Sequence, residues 1–66
     1  MDLYETIARK RGVWTLGELA SLLNMHSGKL YRTIKHARLP VYRLGEEIRL
    51  DPAITADWVR SRFLTI

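Results

Sequence analysis

Residues 15–40, TLGELASLLNMHSGKLYRTIKHARLP, hold the reading on which the fold depends. Thr15 followed three residues later by Glu18 is a capping box, which opens a helix at Leu16. Leu16, Leu19, Ala20, Leu22 and Leu23 supply the buried side of that helix, and Ala20 is small where two helices must approach. Asn24 ends it, being one of the few residues besides glycine that tolerate left-handed backbone. Met25 is the apolar plug of the turn. A second helix then begins at His26 or Ser27, with Ser27 the better intrinsic cap. In that helix, residues 27–36, Leu30 and Ile34 stand four apart and face inward. At 100° per residue, Gly28, Arg32 and Lys35 fall on the opposite side, Lys29, Tyr31 and His36 on the flanks, and Thr33 on the buried side or its margin. Two short helices joined by a tight turn, the second basic outside and apolar inside, are the layout of a helix-turn-helix.

The next ten residues, VYRLGEEIRL, read as two short strands, 41–44 and 47–50, around Gly45 and Glu46. Val41, Ile48 and Leu50 are expected to look inward, and Arg43 and Arg49 outward. Leu39 and Pro40 are read as the stop of the preceding helix. The order helix, turn, helix, hairpin predicts a mainly α fold with a small β-hairpin: a winged helix-turn-helix with an extra N-terminal helix. One domain spans residues 1–66, with the N-terminal helix in 1–13, the helix-turn-helix in 15–40, the wing in 41–50 and a last helix in 52–63.

The flanking helices have their own signals. Asp2 and Glu5 form a capping pair for a helix from Leu3 to about Arg11, and Gly12 suits its left-handed stop. Leu3, Ile7 and Tyr4 give it a narrow apolar stripe, and Glu5 can pair with Arg9. The run Arg9, Lys10, Arg11 has two readings: favourable charge at a helix C-terminus, or an accessory phosphate contact. Asp51 followed by Pro52 starts the last helix, a capping carboxylate before proline at the first helical position. Ile54, Trp58, Val59 and Phe63 are expected to bury against the rest, with Trp58 as a core anchor, while Trp14 has no assigned role. The tail from Phe63 to Ile66 is read as a cap on the core or as an exposed apolar end.

Composition narrows the chemistry. A chain of 66 residues buries only about 60% of its unfolded surface, which leaves no room for a deep catalytic cleft. It has no cysteine, so no disulfide and no thiolate metal site, and its two histidines, His26 and His36, are far apart. No cofactor or metal is implied. No apolar run approaches the ~20 residues of a membrane span. Residues 1–11 are polar and lack the apolar region of a secretory signal, so the expected compartment is a bacterial or phage-infected cytoplasm, in association with the nucleoid. Net charge is +4, and its distribution is uneven: no acidic residue lies between Leu19 and Gly45, where Lys29, Arg32, Lys35, Arg38 and Arg43 are found. Such clustering is the electrostatic footprint of a nucleic-acid binder; the competing reading is the solvated surface of a mildly basic protein.

Taken with these residues, TLGELASLLNMHSGKLYRTIKHARLPVYRLGEEIRLDPAITADWV resembles the excisionase-type winged helix-turn-helix domains, related to the MerR-like group. The resemblance rests on the Thr15 cap, the Glu18, Leu19, Ala20, Leu22, Leu23 helix and the Leu30, Tyr31, Arg32 core of the basic helix. Leu39, Pro40, Arg43 and Gly45 continue it into the wing, and Ala56, Asp57 and Trp58 into the last helix, so that it covers about residues 14–62. It implies a small architectural DNA-binding protein that binds repeated sites near the attachment region of a mobile element, bends the DNA and helps a tyrosine or serine integrase excise it. Domains of the same shape also serve as phage or plasmid transcriptional regulators and as terminase DNA-recognition modules. Two departures stand out. Ser27 and Gly28 replace first-turn basic charge, and Glu46 and Glu47 occupy a wing tip where glycine and basic or polar residues are common. Like charges repel, which leaves Arg43 and Arg49 on the strands as the better phosphate contacts.

The residues therefore predict binding to double-stranded DNA, as a homodimer, a cooperative array or with a partner, because one small module covers a short site. Arg32 is the candidate base contact, since arginine can be bidentate to guanine. Ser27, Gly28 and Tyr31 are assigned to base edges or phosphate, and Lys29, Lys35, His36, Arg43 and Arg49 mostly to phosphate. Gly28 costs roughly 1 kcal/mol relative to alanine inside a helix, and either lets the backbone approach DNA or marks a weak helix start. A rival class is a protein-interaction module of the same shape, motivated by the acidic wing tip and the apolar C-terminal end. An enzyme is not expected: Glu46, Glu47 and Asp51 cluster, but without a nucleophile or metal geometry.

Overall fold

The computed structural model of the chain describes residues 2–63. Met1 and residues 64–66, most of the apolar tail, lie outside the described residues. Four helices and a three-stranded antiparallel sheet form, in the order α1 (Leu3–Ala8), β1 (Trp14–Thr15), α2 (Leu16–Leu22), α3 (Ser27–Ala37), β2 (Tyr42–Leu44), β3 (Glu47–Leu50) and α4 (Pro52–Phe63). Each boundary has a local cause. Asp2 caps α1 by accepting from the Glu5 N–H at 2.8 Å. At Thr15 both halves of the capping box are made: its hydroxyl accepts from the Glu18 N–H at 3.1 Å, and Glu18 accepts from the Thr15 N–H at 2.9 Å. Asp51 caps α4 by accepting from the Ile54 N–H at 3.0 Å.

Both α2 and α3 end in the same closure. The Asn24 N–H donates to the Ser21 carbonyl at 3.2 Å, and the Met25 N–H to the Ala20 carbonyl at 2.9 Å. At the end of α3 the Arg38 N–H donates to Lys35 and the Leu39 N–H to Ile34, both at 3.2 Å. This is the Schellman pattern, which needs one left-handed residue; Asn24 (φ 55) and Arg38 (φ 54) supply it. Met25 and Leu39, the residues that follow, pack on the core.

That core joins every helix. Ile7, Trp14, Leu19, Ala20, Leu30, Ile34, Leu50, Ala56 and Val59 make one buried cluster. α1 packs on α4, α2 on α3, and β3 is the central strand, with β1 on one edge and β2 on the other. Leu44 pairs with Glu47 across Gly45 and Glu46. Gly45 has φ +67, the positive value that a type II′ hairpin turn requires at its first central residue.

Several expectations are corrected. α1 ends at Ala8 rather than near Arg11, because Lys10 turns away to lie 4.6 Å from the centre of the Trp14 ring and 3.4 Å from Glu18. Gly12 is left-handed, but in the loop that follows. Trp14, which had no assigned role, is buried in β1; its Nε1–H donates to the Ile7 carbonyl at 3.0 Å, so it binds α1 to the sheet. The third strand was not expected. Leu22, expected on the buried side of α2, is exposed and lines a surface groove with Leu23 and Met25. Ser27 is inside α3, and His26 is its cap residue, without a side-chain hydrogen bond, because the closure at Met25 leaves His26 as the extended residue. α3 runs one residue past His36, and its stop is Arg38 rather than Leu39 and Pro40. In α4 the buried stripe is Thr55, Ala56 and Val59; Ile54 and Phe63 are exposed and Trp58 is half-buried. Small residues face inward there because α1 lies close against α4. Trp58 packs on the core as expected, though only half-buried, and makes an edge-to-face contact with Phe63, with ring centres 5.7 Å apart.

Two predictions follow from the packing. The Thr55 hydroxyl is buried with no hydrogen-bond partner among the described residues. Thr55→Val keeps the shape and removes an unsatisfied group, so urea unfolding should show a gain of about 1 kcal/mol. The Thr15 N–H and then the Thr15 hydroxyl, with Lys10 nearby, hold the Glu18 carboxyl below its ordinary value of 4.5. A lowered folded pKa means that the stabilisation is complete above the ordinary value and is lost as pH falls through the lowered one. The stability difference between the parent and Glu18→Gln should therefore shrink between about pH 7 and about pH 3. A constant difference over that range would refute the assignment.

Candidate nucleic-acid interface

The surface of interest is built on α3. Leu30 and Ile34 are its buried residues and hold the helix against the core. Ser27, Gly28, Lys29, Tyr31, Arg32, Lys35 and His36 are all exposed. Gly28 and Arg32 share the outermost line: a Cβ at Gly28 would meet only the Arg32 Nη1, at 3.8 Å. No packing contact within the chain requires glycine there. The start of α3 is also open. Side chains of Asp2, Thr15 and Asp51 cap the other three helices, whereas α3 has no side-chain cap. Its first N–H groups, beside Ser27 and Gly28, carry the positive end of the helix dipole, which favours anions.

The hairpin separates two residues that were expected to act together. Directly paired residues of an antiparallel ladder share a face. Arg43 pairs with Ile48, so it lies on the inward face with Ile48 rather than outward as expected. β2 is an edge strand and Arg43 remains exposed, lining one groove with Tyr31, Lys35 and Arg38. Arg49 pairs with Tyr42 and Thr15 and belongs to the opposite face. Its side chain is only 22% exposed; Nη2–H donates to Glu47 at 3.1 Å and Nη1–H to the Ile48 carbonyl at 3.0 Å. Arg49 is thus occupied within the hairpin, and Arg43 alone joins the α3 surface.

Charge is sorted between these regions. Of the seven acidic residues, six are engaged: Asp2 and Asp51 cap helices, Glu5 meets Arg9 at 3.5 Å, Glu18 meets Lys10, Glu47 meets Arg49, and Asp57 meets Arg60 at 3.6 Å. Asp57 also accepts from the Tyr4 hydroxyl at 3.1 Å. Glu46 at the hairpin tip has no cationic partner among the described residues. The cations with acidic partners are Arg9 and Lys10 just after α1, Arg49 in β3 and Arg60 in α4; Arg11, the third residue of the first cluster, has none among the described residues. Lys29, Arg32, Lys35, Arg38 and Arg43 likewise have no acidic partner among the described residues.

Arg38 joins this surface although the sequence assigns it no contact. Its spacing carried the signal: it stands three beyond Lys35 and seven beyond Tyr31, on the same flank of α3. Among the described residues no three His, Cys, Asp or Glu side chains converge as metal ligands, and no helix is long and apolar enough to cross a membrane. Comparison of the chain with protein-family models, with curated proteins and with solved structures gives no match.

Arginine in left-handed backbone costs roughly 1 kcal/mol or more compared with glycine. Arg38→Gly should therefore raise the unfolding free energy by about 1 kcal/mol, measured by thermal or urea denaturation, while it removes a cation from the α3 surface.

Proposed function

We propose that the chain binds double-stranded DNA with a sequence preference, as a winged helix-turn-helix protein with α3 in the major groove and the β2–β3 hairpin as the wing. One observation carries this reading: five cations without acidic partners share the α3 surface, while six of the seven acidic residues are engaged elsewhere. Leaving cations unpaired on one face, when acids are available in the chain, suits a polyanionic ligand. The uncapped start of α3 adds backbone donors beside the same face.

Roles follow from position. Arg32 points out from the middle of α3 and is the base-reading residue, bidentate to a guanine. Gly28 beneath it leaves room for the helix backbone to come near the base edges. Lys35, Arg38 and Arg43 contact phosphate on the hairpin side, and Lys29 and His36 on the other; Ser27 and Tyr31 contact phosphate or base edges. Arg49 is withdrawn from this set, because Glu47 holds it. The resemblance to excisionase-type domains supports a finer role as an excisionase, a recombination directionality factor of a mobile element or phage, acting beside an integrase on nucleoid DNA in the bacterial cytoplasm. A phage or plasmid transcriptional regulator of the same shape uses the same surface. No enzymatic activity is proposed.

A protein-interaction role has its own supporting observation. Tyr42 and Leu44 are exposed on the hairpin, Leu44 to 59%, next to the unpartnered Glu46. The two readings part in one experiment: selection of duplexes from a random pool, followed by fluorescence anisotropy against the selected and a scrambled duplex at two salt concentrations. DNA binding predicts salt-sensitive affinity that prefers the selected duplex. Arg32→Ala should then lose about 1–3 kcal/mol on the selected duplex and much less on the scrambled one. Lys35→Ala should weaken both alike and lower the salt slope by about 0.9. Enrichment of no sequence, with no salt-sensitive binding by the folded protein, would sink the DNA reading and leave the interaction role.

A further inference from the structure

α3 carries cations on both of its flanks. At 100° per residue from Leu30, Tyr31, Lys35 and Arg38 fall on one side of the buried stripe, and Lys29, Thr33 and His36 on the other. The hairpin adds Arg43 to the first side. On the second side the neighbour is the end of α4. Lys29, Thr33 and Arg62 line one groove there, whose remaining lining, Leu3, Leu22, Leu23, Met25 and Phe63, is apolar. Arg62 stands three residues beyond Val59 and seven beyond Thr55, both buried, so it continues the inward stripe of α4. An apolar residue is the ordinary occupant of such a position. Here the helix runs past the core, and the position holds an exposed arginine.

Arg62 differs from its neighbour on the same helix. Arg60 lies 4.4 Å over the Tyr4 ring and 3.6 Å from Asp57. Arg62 has no acidic partner among the described residues and touches only the edge of cation–π range, 6.0 Å from the Phe63 ring. Favourable charge at a helix C-terminus accounts for either arginine, but not for a counter-charge at one and none at the other. Thr33 is not available as a donor in the groove, because its hydroxyl already donates to the Lys29 carbonyl at 2.9 Å. Among the described residues, Lys29 and Arg62 are the cations on this flank without an acidic partner.

We propose that Lys29 and Arg62, two exposed cations along this groove, are a second set of phosphate contacts, which grip the DNA strand on the side of the major groove away from the hairpin. This rests on the DNA-binding reading above and extends it. A helix in a groove about 12 Å wide has a sugar–phosphate strand on each side. Contacts on one flank alone leave the helix free to roll; contacts on both fix its register, so that Arg32 meets the same base edge each time. The arginine fork suits phosphate, and Arg62 sits at the end of a rigid helix rather than in a loop.

The test is the salt dependence of anisotropy for Lys29→Gln, Arg62→Gln and Lys35→Gln on any duplex that the parent binds, with Arg60→Gln as the charge-matched control. Lys29→Gln and Arg62→Gln should each lower the slope of log affinity against log salt by about 0.9 and weaken selected and scrambled duplexes by the same factor. Arg60→Gln should keep the parent slope. A parent slope in Arg62→Gln, with the expected loss in Lys35→Gln, would overturn this inference and leave the DNA reading intact. Equal losses in Arg60→Gln and Arg62→Gln would overturn it too, since net charge would then explain both. A parent protein without salt-sensitive binding would overturn both readings. Arg62 is exposed near the end of α4, and if Arg62→Gln unfolds, Arg62→Met, which keeps the aliphatic stem without the charge, gives the same readout; Lys29→Gln alone tests the DNA reading, which already places Lys29 on phosphate.

Discussion

The fixed placement of α3 depends on the two left-handed closures that bracket it. Asn24 reverses the chain after α2 and sends the Met25 N–H back to the Ala20 carbonyl; Arg38 does the same after α3 through Leu39 and Ile34. In each, the residue just past the turn is apolar and packs on the core. Between these locks, Leu30 and Ile34 bury the inner side of the helix. A helix held along its length and at both ends cannot rotate about its own axis without unpacking all four contacts. Its outer line, Gly28 and Arg32, therefore has a set direction. Asparagine supplies the first left-handed residue at small cost. Arginine at the second is a poorer choice for stability, and it adds a cation at the edge of the α3 surface, which is the kind of local strain that accompanies a functional demand.

The electrostatic arrangement follows from how the acids are used. Asp2, Thr15 with Glu18, and Asp51 cap three helices; Glu18 also meets Lys10, and Glu5, Glu47 and Asp57 meet Arg9, Arg49 and Arg60. These pairs are largely exposed, and each contributes little to stability. Their larger effect is on the field around the molecule. Charge is cancelled at Arg9, Lys10, Arg49 and Arg60, and among the described residues stays uncancelled along α3 and β2 and at Arg11 and Arg62. Potential at a surface is a sum over all nearby charges, so local cancellation elsewhere makes the α3 face the positive side. The proposed interface is thus shaped as much by where six of the seven acidic residues are engaged as by where the cations stand.

Local signals were read well. The Thr15 capping box, the Asp51 and Pro52 start, the left-handed Asn24 and the inward pair Leu30 and Ile34 all stand where their spacing puts them. Each involves residues within four positions of one another, so backbone geometry alone brings them together. Most of the exposed line of α3 was legible for the same reason. The misreadings cluster where a partner is distant in sequence. Trp14 joins a strand because Leu50 is there to pair with it, and α4 buries Thr55, Ala56 and Val59 because α1 lies against that side.

The sequence by itself determined the helices, their caps, the turn at Asn24 and the basic outer side of α3, because hydrogen bonds and periodicity over one or two turns decide them. Only the tertiary structure decided which cations share a surface. The register of β2 on β3 turned Arg43 toward α3 and left Arg49 with Glu47. The length of α4 beyond the core carried Arg62 to the flank of α3 beside Lys29. Register and helix packing are set by burial of the whole core, and no short stretch of sequence contains that sum.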